Sequence, residues 1–165
     1  MQFKITSKNA KGAFDLLKDG RNVTSFEYEN WFSSHGSAVL KSGNFEIRPK
    51  NMWHSSFDII DSGADIGDIT MNWRGHIIIP IKTKKAEKTY ILKTTGFWNF
   101  SFVLIDDEER EVLRMRPEIK WTKMYYDYTI EVYDETLSVI ELEKLLVVCG
   151  YSTNLYMNMM AAAVL

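Results

Sequence analysis

The sequence predicts a mainly β fold, a closed and mostly antiparallel barrel of about twelve strands enclosing a hydrophobic C-terminal helix. Three observations predict it. Short apolar stretches punctuated by turn residues recur from Met1 to Tyr133, about a dozen of them. The links between them are too short for crossover helices, so neighbouring strands must run antiparallel. The last 27 residues, Val139 to Leu165, read as one long helix with no charge after Lys144. A helix without a polar face must be surrounded, by protein or by lipid.

Phe3 to Thr6 and Ala13 to Leu17 are the first candidate strands. Asp19-Gly20 leads into Val23 to Tyr28, a hairpin whose turn suits glycine at positive φ. Ser37 to Leu40 and Asn44 to Arg48 flank Ser42-Gly43, and Pro49, which cannot donate to a ladder, closes that strand. Phe57 to Ile60 ends at Asp61-Ser62-Gly63, and Trp73-Arg74-Gly75 separates Ile66 to Asn72 from His76 to Ile81. Thr89 to Lys93 follows the basic loop Lys82 to Lys88. Phe100 to Ile105 and Glu111 to Met115 flank Asp106 to Glu109, which reads as an exposed acidic turn. In Tyr126 to Tyr133 the residues Tyr126, Tyr128, Ile130 and Val132 alternate with Asp127, Thr129, Glu131 and Tyr133, the pattern of a half-buried strand.

His76 to Ile81 and Phe100 to Ile105 are apolar on both faces, which predicts cover on both sides. So many strands in one small domain make a sandwich or close into a barrel, because open edges are a liability. A twelve-stranded barrel is too wide to be filled by its own side chains, so an apolar helix has a place inside it. Ser138-Val139-Ile140-Glu141 is a capping box that starts this helix. At 1.5 Å per residue it would span roughly 40 Å. As a membrane span, its leucines and valines favour insertion by roughly 2 to 4 kcal/mol in total. Gly150 to Asn154 and Asn158 erode that gain, and no Lys or Arg follows. The balance favours burial in protein, with a tail anchor over residues 145–165 as the alternative.

The chain of 165 residues reads as a single domain, with strands over roughly 2–133 and the helix over roughly 139–164. A net charge of −2 argues against a nucleic-acid partner. The single cysteine, Cys149, excludes an internal disulfide framework and reads as a small buried hydrophobe. The N-terminal stretch has no continuous apolar region, so no cleaved signal peptide is expected and the chain reads as cytoplasmic.

The series Gly67 to Asp134, with Gly67-Asp68-Ile69, Gly75-His76-Ile77-Ile78-Ile79 and Trp98-Asn99-Phe100-Ser101-Phe102, followed by Leu145 to Leu165, resembles the tubby-like superfamily. That group includes the tubby C-terminal domain, the phospholipid scramblases and the small LURP-one-related proteins. The resemblance implies a barrel wrapped around its C-terminal helix. It also implies a non-enzymatic binding module, for anionic phospholipid head groups or for a protein, peripheral to the membrane in the first case. No cofactor is expected and no catalytic residue is supplied, and fold is a better inference from the resemblance than function; an enzyme with an unrecognised site stands beside the tail anchor as an alternative.

Two basic groups are the candidate ligand contacts. Lys82, Lys84, Lys85 and Lys88, with Lys93 just after, could each contribute about 1 kcal/mol near an anionic membrane. The plainer reading is a solvated hairpin loop. Arg114 and Arg116 share a strand face and could grip a phosphate, within a basic stretch that also holds Arg110, Lys120 and Lys123. Pairing with acids on a neighbouring strand is the favoured alternative. Asp106 to Glu109 lacks the spacing of a calcium loop, and His35, His54 and His76 lack the spacing of metal ligands. No nucleophile elbow, phosphate loop or dinucleotide glycine motif is present. Trp31, Trp53, Trp73, Trp98 and Trp121 read mostly as core or rim packing, with Trp73 a possible exception because it sits in a turn.

Overall fold

The structure, a computed structural model, describes residues 1–52, 55–118, 122 and 125–163. Its strands are β1 (Phe3–Ser7), β2 (Phe14–Lys18), β3 (Arg21–Tyr28), β4 (Gly36–Leu40), β5 (Gly43–Pro49) and β6 (Ser56–Asp61). There follow β7 (Ala64–Met71), β8 (Ile77–Lys82), β9 (Glu87–Thr95), β10 (Ser101–Ile105), β11 (Glu111–Glu118), β12 (Asp127–Val132) and the helix α1 (Val139–Ala163). Each strand pairs antiparallel with its neighbour in sequence, and β1 pairs with β12, Phe3 opposite Ile130, to close the barrel.

Local chemistry explains the turns. Asp19 and Gly20 have φ of 49° and 78°, and Ser62 and Gly63 have φ of 52° and 83°. Paired positive φ values make the two-residue hairpin turn whose twist matches that of the strands. The acidic turn departs from the sequence expectation, because Asp106 is buried. Its carboxylate accepts the backbone N–H groups of Glu108 and Arg110 and the Arg110 guanidinium, at 2.9, 2.9 and 2.8 Å. Only Asp107 to Glu109 face water.

Alternate strand residues point inward, among them Phe3, Ile5, Phe45, Ile47, Ile77, Ile79, Phe102 and Leu104. They meet Leu145 to Tyr151 of α1 in one core. The capping box is formed: the Glu141 carboxylate accepts the Ser138 N–H at 3.0 Å, and Ser138 Oγ accepts the Glu141 N–H at 3.2 Å. The cover predicted over both faces is found along β10, where Ser101 to Leu104 are all buried, but Ile78 and Pro80 on the outer face of β8 are half-buried.

The helix corrects the sequence expectation in one respect. Its enclosed residues end at Thr153; Asn154 to Met157 are half-buried and residues 158–163 are exposed. Barrel height sets this limit. A strand of six or seven residues is about 21 Å long, and a tilt near 40° shortens its rise to about 16 Å. Roughly twelve helical residues fill that height. Val164 and Leu165 lie outside the described residues. No helix among the described residues is long and apolar enough to cross a membrane. Leu145 to Thr153, which an anchor would require, are enclosed by protein.

The topology gives the barrel two different rims. Links from odd to even strands all lie at one end, and links from even to odd strands at the other. The second rim has mostly tight turns, and α1 enters through it after β12. Lys144 of the helix pairs there with Asp61 at the end of β6, at 2.5 Å. The helix leaves through the first rim, among the longer loops.

Candidate functional site

The exit rim gathers the large exposed hydrophobic side chains of the loops. Trp31 and Phe32 lie in the β3–β4 loop, Met52 after β5, Trp73 in the β7–β8 loop, and Phe97 and Trp98 in the β9–β10 loop. Phe32, Trp73 and Trp98 are 93%, 89% and 94% exposed. In their midst the apolar end of α1 presents Met159 and Met160 to solvent. Exposed aromatics on this scale mark a contact surface rather than a core.

Hydrogen bonds hold these loops in shape. Asn30 Oδ1 accepts the Phe32 N–H at 3.0 Å. Asn72 Oδ1 accepts the N–H groups of Arg74 and His76 at 2.9 and 3.0 Å, and Gly75 supplies a φ of 77°. Such turns pin the backbone and leave Trp73 pointing away. The helix ties down its own rim. Tyr151 donates its hydroxyl to the Ser34 carbonyl at 2.9 Å, and Asn154 Nδ2 donates to the Lys11 carbonyl at 2.8 Å and to the Tyr28 hydroxyl at 3.0 Å.

The rim's cations divide into two kinds. Lys8 pairs with Glu27, and Lys50 reaches down the wall to Asp68 and Asp58 at 2.7 and 3.5 Å. Lys11 and Arg74 have no acidic partner among the described residues. Lys11 Nζ donates to the Trp31 carbonyl at 2.6 Å and lies 4.7 Å from the Tyr28 ring centre, while the Arg74 guanidinium lies 5.0 Å from the Trp73 ring. Burial lowers the Lys11 pKa below the ordinary lysine value. The acids Asp107 to Glu109 and Asp134-Glu135 lie at the opposite rim.

The residues selected from sequence form no single site: four share the β8–β9 hairpin, and Lys93, Arg114 and Arg116 stand on the outer wall. Lys84 and Lys85 are exposed at the entry rim, with Lys82 and Lys88 at the strand ends beside them. There the carboxyl of Glu141 is held low by hydrogen bonds from Ser138 and, more weakly, by Lys88 and Lys85. Lys93 stands on the outer wall opposite Val103, which in turn faces Arg114. Arg114 is bonded to Glu111 of its own strand at 2.7 Å, and Arg116 to Glu131 of β12. Lys120 and Lys123 lie outside the described residues, as do His54, Trp53 and Trp121.

Two tryptophans, Trp31 and Trp98, correct the expectation of packing, because both are exposed; Trp73, set apart in the sequence by its place in a turn, is exposed as well. A sequence signal for this existed. The five tryptophans recur every 20 to 25 residues, the length of one hairpin. A feature repeating once per hairpin stays on one rim of a meander. A second feature was invisible in sequence: the register of β6 and β7 sets Asp58 opposite Asp68, with Asp65 close by. Lys50 supplies the cation for this group. Cys149 is fully buried, and desolvation pushes its thiol up to about 12, which removes it as a nucleophile.

No protein-family profile matches the chain, and no curated relative does. A solved X-ray structure of a protein from Arabidopsis thaliana is similar to it, with a TM-score of 0.56 and 11% identity. The likeness covers 93% of this chain and 91% of that one. At this identity it shows the shared fold, a twelve-stranded barrel around a C-terminal helix, and nothing about activity.

Proposed function

We propose that this chain is a tubby-like, non-enzymatic module of the cytoplasm that docks peripherally on anionic phospholipid surfaces through its exit rim. The observation that carries the reading is the gathering of exposed tryptophan and phenylalanine around an apolar helix end. Tryptophan favours the water–lipid interface, where one end of the ring is dry and the other wet. Lys11 and Arg74 add positive charge at that rim, where the exposed Glu27 is paired with Lys8 and the exposed Glu29 is hydrogen-bonded to His35. The filled barrel supports a docking role over catalysis, since the helix occupies its interior.

Co-sedimentation with neutral and anionic vesicles tests this. Phe97→Ser with Trp98→Ser should weaken binding to anionic vesicles roughly tenfold, about 1.4 kcal/mol. Lys84→Glu with Lys85→Glu, at the opposite rim, should leave it unchanged. Equal binding by both variants, or no preference for anionic over neutral vesicles, would refute the reading and favour a protein partner.

A further inference from the structure

A cleft of about 420 Å³ lies between α1 and the barrel wall and opens on the exit rim. Its helical side is one face of α1: Gly150, Asn154, Met157, Asn158 and Ala161, residues three or four apart. Its other side is formed deep down by Ile5, Phe14 and Tyr128 and near the mouth by Ala10 and Gly12. The volume falls in the range of small-molecule sites. From Gly150 to Ala161 the helix rises about 16 Å. Small residues line the mouth, and the walls are aromatic rings and flexible methionines with polar atoms from Ser7, Tyr125 and Tyr126 among them, which suits a narrow, mainly apolar guest of variable shape.

A second cavity, of about 240 Å³, shares Asn154 and Asn158 and adds Lys11, Tyr28, Trp31 and Ser34. The two asparagines therefore stand between an apolar slot and an end that holds a lysine without an acidic partner among the described residues. An apolar channel that ends beside an unneutralised cation is complementary to an anionic amphiphile.

We propose that this cleft binds a single aliphatic chain with an anionic head, the chain lying along α1 and the head meeting Lys11 and Asn158. The guest is a free fatty carboxylate or a one-chain phospholipid, which share this chemistry. With the head at Asn158, about 12 Å of helix remains down to Gly150, which accommodates about ten carbons of the chain. The cleft shares Lys11 and its rim with the docking reading but does not depend on that reading.

Displacement of dansyl-undecanoate by octanoate, dodecanoate, dodecanol and one-chain lauroyl lysophosphatidate tests it. Dodecanoate should bind saturably below its micelle concentration and more tightly than octanoate, by roughly tenfold in total. Ala161→Trp, at an exposed position, should weaken dodecanoate at least tenfold with an unchanged urea midpoint; Ala10→Trp serves as the second blocking variant. Lys11→Met should weaken dodecanoate severalfold and leave dodecanol unaltered. Tighter binding of the carboxylate identifies the free acid as the guest, and tighter binding of the lysophosphatidate identifies the phospholipid. Absence of saturable binding, or wild-type affinity in both blocking variants, overturns the proposal. Dodecanoate binding without vesicle binding supports the cleft and defeats the docking reading alone.

Discussion

Two truncations separate the two halves of the helix. Ending the chain after Lys144 removes six enclosed hydrophobic side chains, Leu145, Leu146, Val147, Val148, Cys149 and Tyr151, along with the buried Ser152 and Thr153. At about 1.5–3 kcal/mol for each, the loss is on the order of 9–18 kcal/mol. That sum is an upper bound, since unfolded chains already bury some apolar surface. It still matches or exceeds the 5–15 kcal/mol that holds a typical domain folded. The barrel should therefore not form. Ending the chain after Met157 removes a stretch whose described residues, 158–163, are exposed, and should cost less than about 2 kcal/mol. Urea titration followed by near-UV circular dichroism distinguishes the two. A single cooperative transition in the 1–144 chain, or none in the 1–157 chain, would refute the assignment of the core to the first half of the helix.

Gly150→Ala sets helix propensity against packing. Alanine gains about 1 kcal/mol over glycine in a helix. A Cβ at this position would lie 2.6 Å from Phe14 Cζ and 3.0 Å from Ile5 Cδ1. Phe14 is buried and stacked on Phe26 at 5.3 Å, so it has little room to move. Overpacking of this kind costs about 1–3 kcal/mol, and the variant should be less stable by about 1 kcal/mol, read as a lower urea midpoint at constant slope. Asp106 predicts a pH effect. Burial acts to raise its carboxyl pKa, but the N–H groups of Arg110 and Glu108 and the Arg110 side chain outweigh it and hold the value below the ordinary range. Its stabilisation is complete above the unfolded value, about 3.9, and is lost as pH falls through the lower folded value. Asp106→Asn should lower stability at pH 7 and flatten that part of the acid limb, and an unchanged limb would contradict the assignment.

The elements legible in the sequence are those set by near neighbours. Asp19-Gly20 and Ser62-Gly63 announce their turns because few residues tolerate that backbone. Ser138 and Glu141 announce the helix start because each satisfies the other. The extent of enclosure was misjudged at Asn154, because apolar composition continues to Leu165 while the barrel that covers it is only as tall as its strands. The two basic groups stay apart in the fold as they are in sequence, because the meander carries Lys84 to the entry rim and Lys93 and Arg114 to the outer wall. The cleft beside Gly150 depends on how far the helix leans toward Phe14, a tertiary distance that no spacing records.

The pairing of β1 with β12, Phe3 opposite Ile130, has a consequence for the chain as it is made. At about 5–20 residues per second a ribosome takes on the order of 10–30 s to complete 165 residues. Hairpins can form early, since their contacts are local, but the seam waits for the final strand and the core waits for the helix behind it. Through most of synthesis the inward isoleucines and phenylalanines have nothing to cover them. Nascent chains of this protein should accordingly be clients of holding chaperones until α1 emerges, and slow elongation should prolong that exposure.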